Sequence, residues 1–181
     1  DGETVNQRPI QAIYNALKRP DVKLAALPLF SWLLQFDFTL RQPLLSKDDA
    51  AFYPTDNPMR KDRALRAPYY AASGWKGCFR GALHWIGLDD HDGKVLRLVG
   101  NDRSVQSQAE SRAGRLQFFP TYFTRIKYHI IHPLERRKKT GIPIDLEVVP
   151  KGEQGHFTLL SVPFDMVSMP PEDIRRETAE D

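Results

Sequence analysis

The residues most capable of chemistry fall in two stretches. The first reads Asp56-Asn57-Pro58-Met59-Arg60-Lys61-Asp62, and the second Ser73-Gly74-Trp75-Lys76-Gly77-Cys78-Phe79-Arg80. In the second, small residues at a strand-to-helix turn leave backbone N–H groups open at a helix N-terminus, with Lys76 and Arg80 one turn apart on the same face. That combination suits phosphate. The plainer alternative is a glycine-tolerant amphipathic helix with two solvated cations. The spacing is not that of a P-loop, which needs Lys and Ser or Thr at a fixed offset from Gly, nor of a Rossmann turn. In the first stretch, Asp56 ahead of Asn57-Pro58 suits an Asx-type turn. Other chemistries find little support: no Gly-x-Ser-x-Gly elbow occurs, and the lone Cys78 reads as a small buried residue. His129 and His132 would point to opposite faces of a strand, and His84 reads as a partly buried packing residue on a helix.

The elements that must position these residues can be read from periodicity. With 181 residues, 41% hydrophobic and 27% charged, the chain suits one soluble domain over 1–181. Apolar runs such as Leu24 to Phe30 and Phe157 to Phe164 are too short for a membrane span, so no membrane partner is expected and a cytoplasmic protein is the default. A single cysteine fits a reducing compartment. The chain starts at Asp1 and closes soon after Val162 on a short charged segment, so a trimmed piece or a module of a longer or fused protein is expected. Helical spacing is predicted over Arg8 to Arg19 and Ser73 to Leu88, the latter capped by Ser73 with Trp75, Phe79, Leu83 and Ile86 on one face. Strands are predicted over Ser31 to Leu40, Val95 to Val99, Leu116 to Tyr122, Thr124 to His132, Ile144 to Val149 and His156 to Val162. Arg41 to Tyr70 is a long loop or irregular hairpin, and Pro170-Pro171 opens a charged terminal helix. The mixture predicts an α+β fold with a mainly antiparallel sheet.

The order of the pieces resembles a family. Asp56-Asn57-Pro58 with Lys61-Asp62 is followed by Ser73-Gly74-Trp75-Lys76-Gly77-Cys78-Phe79-Arg80, then Gly114-Arg115-Leu116-Gln117-Phe118, then Val148-Val149-Pro150-Lys151-Gly152. This ordered set, over roughly Phe36 to Phe164, resembles the RAMP superfamily of CRISPR proteins. It is most similar to the repeated backbone subunit of type III effector complexes, the seventh Cas family. Ala72-Ser73-Gly74 replaces the family's usual Gly-Ser-Ser, and Phe119-Pro120-Thr121 stands where an acidic residue often follows.

The resemblance implies a ferredoxin-like, RRM-like antiparallel sheet with helices on one face and a projecting thumb at about 41–70. It implies that the chain binds a CRISPR guide RNA beside other effector subunits, and that the thumb enters the duplex with complementary target RNA. Asp56 is the residue carried over for metal-dependent cleavage of that target, holding Mg²⁺ or orienting a 2′-hydroxyl for attack on its own phosphate; Asp48 and Asp49 are rival carboxylates. Ser73, Gly74, Lys76, Gly77, Arg80, Arg60, Lys61, Arg115 and Lys151 are the expected RNA contacts. Two other readings stay open: a structural guide-binding subunit without cleavage, and a metal-independent guide-processing ribonuclease. The total charge of +3 says little, but cations cluster at Arg60, Lys61, Arg63 and Arg66, at Arg112 and Arg115, and over Arg136, Arg137, Lys138 and Lys139. A solvated loop face is the better reading for that last run. Tyr69, Tyr70 and Trp75 could stack on bases, although packing is the commoner role for such aromatics.

Overall fold

The structure is a computed structural model and describes residue 17 and residues 20–47, 57–101, 113–131 and 143–179. Asp48, Asp49, Asp56, Arg112, His132 and the basic run from 136 to 139 lie outside the described residues, as does the helix expected over 8–19 apart from the helical Leu17. In chain order the strands are β1 (Trp32–Thr39), β2 (Tyr69–Tyr70), β3 (Leu116–Phe118), β4 (Thr121–Tyr122), β5 (Lys127–Ile131), β6 (Ile144–Val148) and β7 (Gln154–Ser161). The helices are α1 (Ala72–Trp85), α2 (Gly93–Leu98) and α3 (Pro171–Thr178). Sheet order is β1-β7-β3, with β2-β4 and β5-β6 as separate antiparallel pairs. The expected α+β class with antiparallel pairing is therefore the observed one.

The chain divides into two compact units, one containing Phe36–Tyr70 and Thr121–His156, the other Asp21–Gln35, Ala71–Pro120 and Phe157–Asp181. In the first, Met59, Phe123 and Val149 are fully buried, with Phe38, Leu40, Leu44 and Tyr70 packed on them. Both ends of the 41–70 segment are pinned here. Leu44 and Val149 exchange backbone hydrogen bonds at 2.9 Å, Lys47 lies antiparallel to Met59, and Arg60 N–H donates to the Ser46 carbonyl at 2.7 Å. The segment is an irregular hairpin at its base. Gly155 sits where any Cβ would overlap the Phe38 ring, so β1 and β7 come close only because that position has no side chain. Tyr122 packs beside Tyr69; burial first, then Asp62 and Tyr69, push its phenol above the usual value.

In the second unit α1 packs on sheet residues through aromatic edges: Trp75 meets Phe157 at 5.0 Å and Phe79 meets Phe118 at 5.7 Å between ring centroids. Leu83, Val95 and Val99 form a buried cluster beside them. The strand expected over Val95 to Val99 is instead helical. Asp92 caps it by accepting from Lys94 N–H at 2.8 Å, and the four-residue spacing of Val95 and Val99 places both on one buried face. Gly100 bridges to Ala113, and Arg115 N–H donates to the Arg97 carbonyl at 2.9 Å. α3 opens on Pro171 with Glu172 and Asp173 in its first turn and Arg175 and Arg176 in its last, a charge order that suits the helix dipole.

Other departures have local causes. The single strand expected over Leu116 to Tyr122 is split at Pro120, which has no N–H to donate, and β4 pairs with β2 instead. β1 is a strand as expected, but its Trp32, Leu34 and Phe36 are exposed, while Gln35 bonds Thr158 at 3.3 Å; of its apolar residues only Leu33 and Phe38 are half-buried. His84 and Cys78 are exposed on α1, and Ile86 lies beyond its end at 73% exposure, because only the Trp75, Phe79 and Leu83 stripe is covered.

Candidate nucleic-acid interface

The start of α1 differs from what the Ser73 hydroxyl suggested. The helix begins one residue earlier, its N-cap is Ala71, and no side chain caps it. Gly74 and Trp75 N–H groups both turn back to the Ala71 carbonyl, at 2.9 and 3.2 Å. The first turn carries no acidic residue. A helix of this length that supplies no acceptor of its own leaves partial positive charge at its start. Beside it lies a cavity of about 300 Å³ lined by Ala72, Ser73, Lys76, Gly114, Gln117 and Phe118. The wall is shaped by Gly114: a Cβ there would overlap the Leu98 carbonyl and Val99 backbone, so no other residue lets β3 begin so close to the end of α2. Gly77 and Gly81 have open space above them, which leaves that face of α1 low.

The structure thus brings Ser73 and Lys76 together with Gly114, with Gly74 and Gly77 in the same helical turns. It treats the other expected contacts differently. Arg80 Nε donates to Asp90 Oδ1 at 2.5 Å, and His84 Nε2 lies 2.9 Å from the same oxygen. The hydrogen bond from Arg80, then that from His84, hold the Asp90 carboxyl below its ordinary value. The Arg115 side chain is 4% exposed and reaches both carboxylate oxygens of Asp165, at 3.0 and 2.9 Å. Lys61 Nζ lies 2.8 Å from Glu147 Oε2, which also accepts from Met59 N–H at 3.0 Å. Arg60 is half-buried, and Lys151 is exposed in the turn completed by Gly152 at φ 89°.

Sequence reasoning passed over the three carboxylates that hold these cations. Glu147 had a signal: it stands between Leu146 and Val148 in a strand that is otherwise apolar at its buried end. A charge there needs a partner. It also anchors the base of the hairpin, because its N–H donates to the Asn57 carbonyl at 3.0 Å. Asp165 gave a similar sign, lying between Phe164 and Met166, whereas Asp90 sits in the polar run Asp89 to Asp92 and gave none. Asp56, expected to hold a metal, lies just ahead of Asn57 in the sequence and outside the described residues. Among the described residues no group of three or more His, Cys, Asp or Glu side chains is placed to hold a metal ion.

A model of the RAMP superfamily matches residues 37–180. The chain belongs to the RAMP superfamily. Comparison with curated proteins gives no match. Among solved structures, this RAMP chain is similar to one in a cryo-EM structure of the type III-B Cmr-beta bound to cognate target RNA, with a TM-score of 0.62 and 18% identity. The match covers 93% of this chain and 58% of that one, so this chain spans little more than half its length. The two share the RAMP ferredoxin-like α+β fold. Among the described residues no helix is long and apolar enough to cross a membrane.

Proposed function

We propose that this RAMP protein is an RNA-binding subunit of a type III CRISPR effector complex, and that it holds the guide RNA backbone at the start of α1. The observation that carries this reading is the uncapped, acid-free N-terminus of α1 opening on a cavity with Lys76 on its wall. Phosphate supplies the negative charge that this helix end lacks, and small residues let a backbone approach. Membership of the RAMP superfamily and likeness to a chain of an RNA-bound type III-B assembly support the choice of RNA.

We further propose that the subunit cuts complementary target RNA through Asp56. The 2′-hydroxyl gives up its proton to water as its oxygen attacks the adjacent phosphorus, the bond to the 5′-oxygen breaks, and that oxygen takes up a proton from water; a 2′,3′-cyclic phosphate and a 5′-hydroxyl result. Asp56 would hold Mg²⁺, whose chemistry at this step is neutralisation of developing phosphate charge. The chain's own contribution is to position the loop: Glu147 ties Asn57, Met59 and Lys61 to β6 at the base of the hairpin. The test is the assembled complex with guide and complementary RNA in Mg²⁺. Asp56→Ala is expected to slow the cut opposite this subunit at least about hundredfold while leaving target binding intact. A cut that persists at the wild-type rate assigns the chain a purely structural, guide-holding role.

A further inference from the structure

A second cavity in the Asp21–Gln35, Ala71–Pro120 and Phe157–Asp181 unit has no part in the function proposed above. Its volume is about 430 Å³, and its lining includes Phe30, Trp32, Arg115, Ser161, Arg175 and Thr178. With Ser31 also in the lining, two aromatic residues, two arginines and three hydroxyl-bearing residues border one space.

The aromatic side is held in place at a steric cost. Pro28, Leu29, Phe30 and Ser31 form a turn closed by Ser31, whose N–H and hydroxyl both donate to the Pro28 carbonyl, at 3.2 and 2.7 Å. Phe30 occupies the third position with φ 64°, a left-handed conformation that turns of this kind usually give to Gly or Asn. A bulky residue kept there against its backbone preference calls for a use of its ring. The ring is not consumed by packing, since Phe30 is 42% and Trp32 44% exposed.

The cationic side is built as well. Arg115, although 4% exposed, has its guanidinium plane fixed by both oxygens of Asp165. Arg175 comes from the last turn of α3, where the helix dipole favours a cation. Flat aromatic surface beside arginine matches a nucleobase with its phosphate: the base stacks, the arginine takes the charge. The volume admits a base and its ribose.

We infer that this cavity binds one nucleotide of a single-stranded RNA, its base against Phe30 and Trp32 and its phosphate at Arg175. The nucleotide chemistry stands on this cavity alone; the choice of an RNA strand as its source rests on the function proposed above. A free nucleotide offers the same groups, so the test separates the two sources.

The experiment uses the whole chain with a fluorescent mixed-sequence RNA octamer, an abasic octamer of equal length, and AMP by equilibrium dialysis. Phe30→Gly removes the ring while relieving the strained turn, so folding is not endangered. Trp32→Ala is the independent second variant. Each should weaken the base-bearing octamer about tenfold and leave the abasic one unchanged. Arg175→Gln should weaken both. Lys76→Glu, at the other cavity, should weaken both octamers whether or not Phe30 is present, which separates failure of the guide cradle from failure of this site. Unchanged affinity of the base-bearing octamer in both aromatic variants, or equal weakening of the two octamers, overturns the stacking assignment. Capture of AMP that is lost in Phe30→Gly, with the octamers unaffected, overturns RNA as the source.

Discussion

The base of the 41–70 hairpin and the start of α1 both gather basic residues, yet they use them in opposite ways. At the hairpin, Lys61 is drawn inward to the buried Glu147, and the same carboxylate holds Met59 N–H. At α1 the first turn holds no acidic residue, no side chain caps the helix, and Lys76 lines a cavity. One site uses a buried carboxylate to fix the chain; the other sets a cavity against a helix start. Counting cations along a sequence cannot tell these apart, because the distinction lies in where the acids fall in space.

The contrast can be broken in order of expected effect. Glu147→Ala strips a partly buried ammonium and a buried N–H of their acceptor at once, and should lower stability by about 3 kcal/mol in urea unfolding. A loss below about 1 kcal/mol would mean that the hairpin base is not anchored there. Gly114→Ala forces a methyl into the Leu98 and Val99 backbone. About 2 kcal/mol of stability should go, with reshaping of the cavity at α1 read as weakened RNA binding. Next, Lys76→Glu should reduce RNA affinity about tenfold at low salt and flatten the slope of log K against log salt by about 0.7, the share of one single-strand phosphate. Lys61→Gln, by contrast, should leave that slope unchanged, since its charge is already matched by Glu147. The smallest effect concerns Asp90. Its folded pKa lies below the ordinary 3.8, so its contribution to stability is present above that value and fades as pH falls through the folded pKa. Asp90→Asn should therefore differ from the parent in thermal scans near neutrality and converge with it under strongly acid conditions.

Much of the fold was legible because it follows local pattern. β1, β5 and β6 lie within the predicted segments, β7 and α1 start two residues and one residue ahead of theirs, and α3 opens at the predicted Pro-Pro, because alternation, helical spacing and a Pro-Pro start speak for themselves. Val95 to Val99 misled because two valines four apart fit either a strand's composition or a helix's face, and only the Asp92 cap decides. The face of β1 was not legible at all: alternation says that a strand has two sides, not which one is covered. At the site, the glycine turn and Lys76 could be found from residue types. The fate of Arg80, Arg115 and Lys61 could not, because their partners are 10, 50 and 86 residues away along the chain by residue number.

The bridge between Gly100 and Ala113 gives an experimental opening of a different kind. The bridge sets Ala113 beside Gly100, and Arg115 N–H donates to the Arg97 carbonyl, so the end of α2 and the start of β3 are held together through the backbone. Ala113 is exposed beside that bridge and lines the cavity at α1, so a fluorescent reporter attached there would follow what enters that cavity.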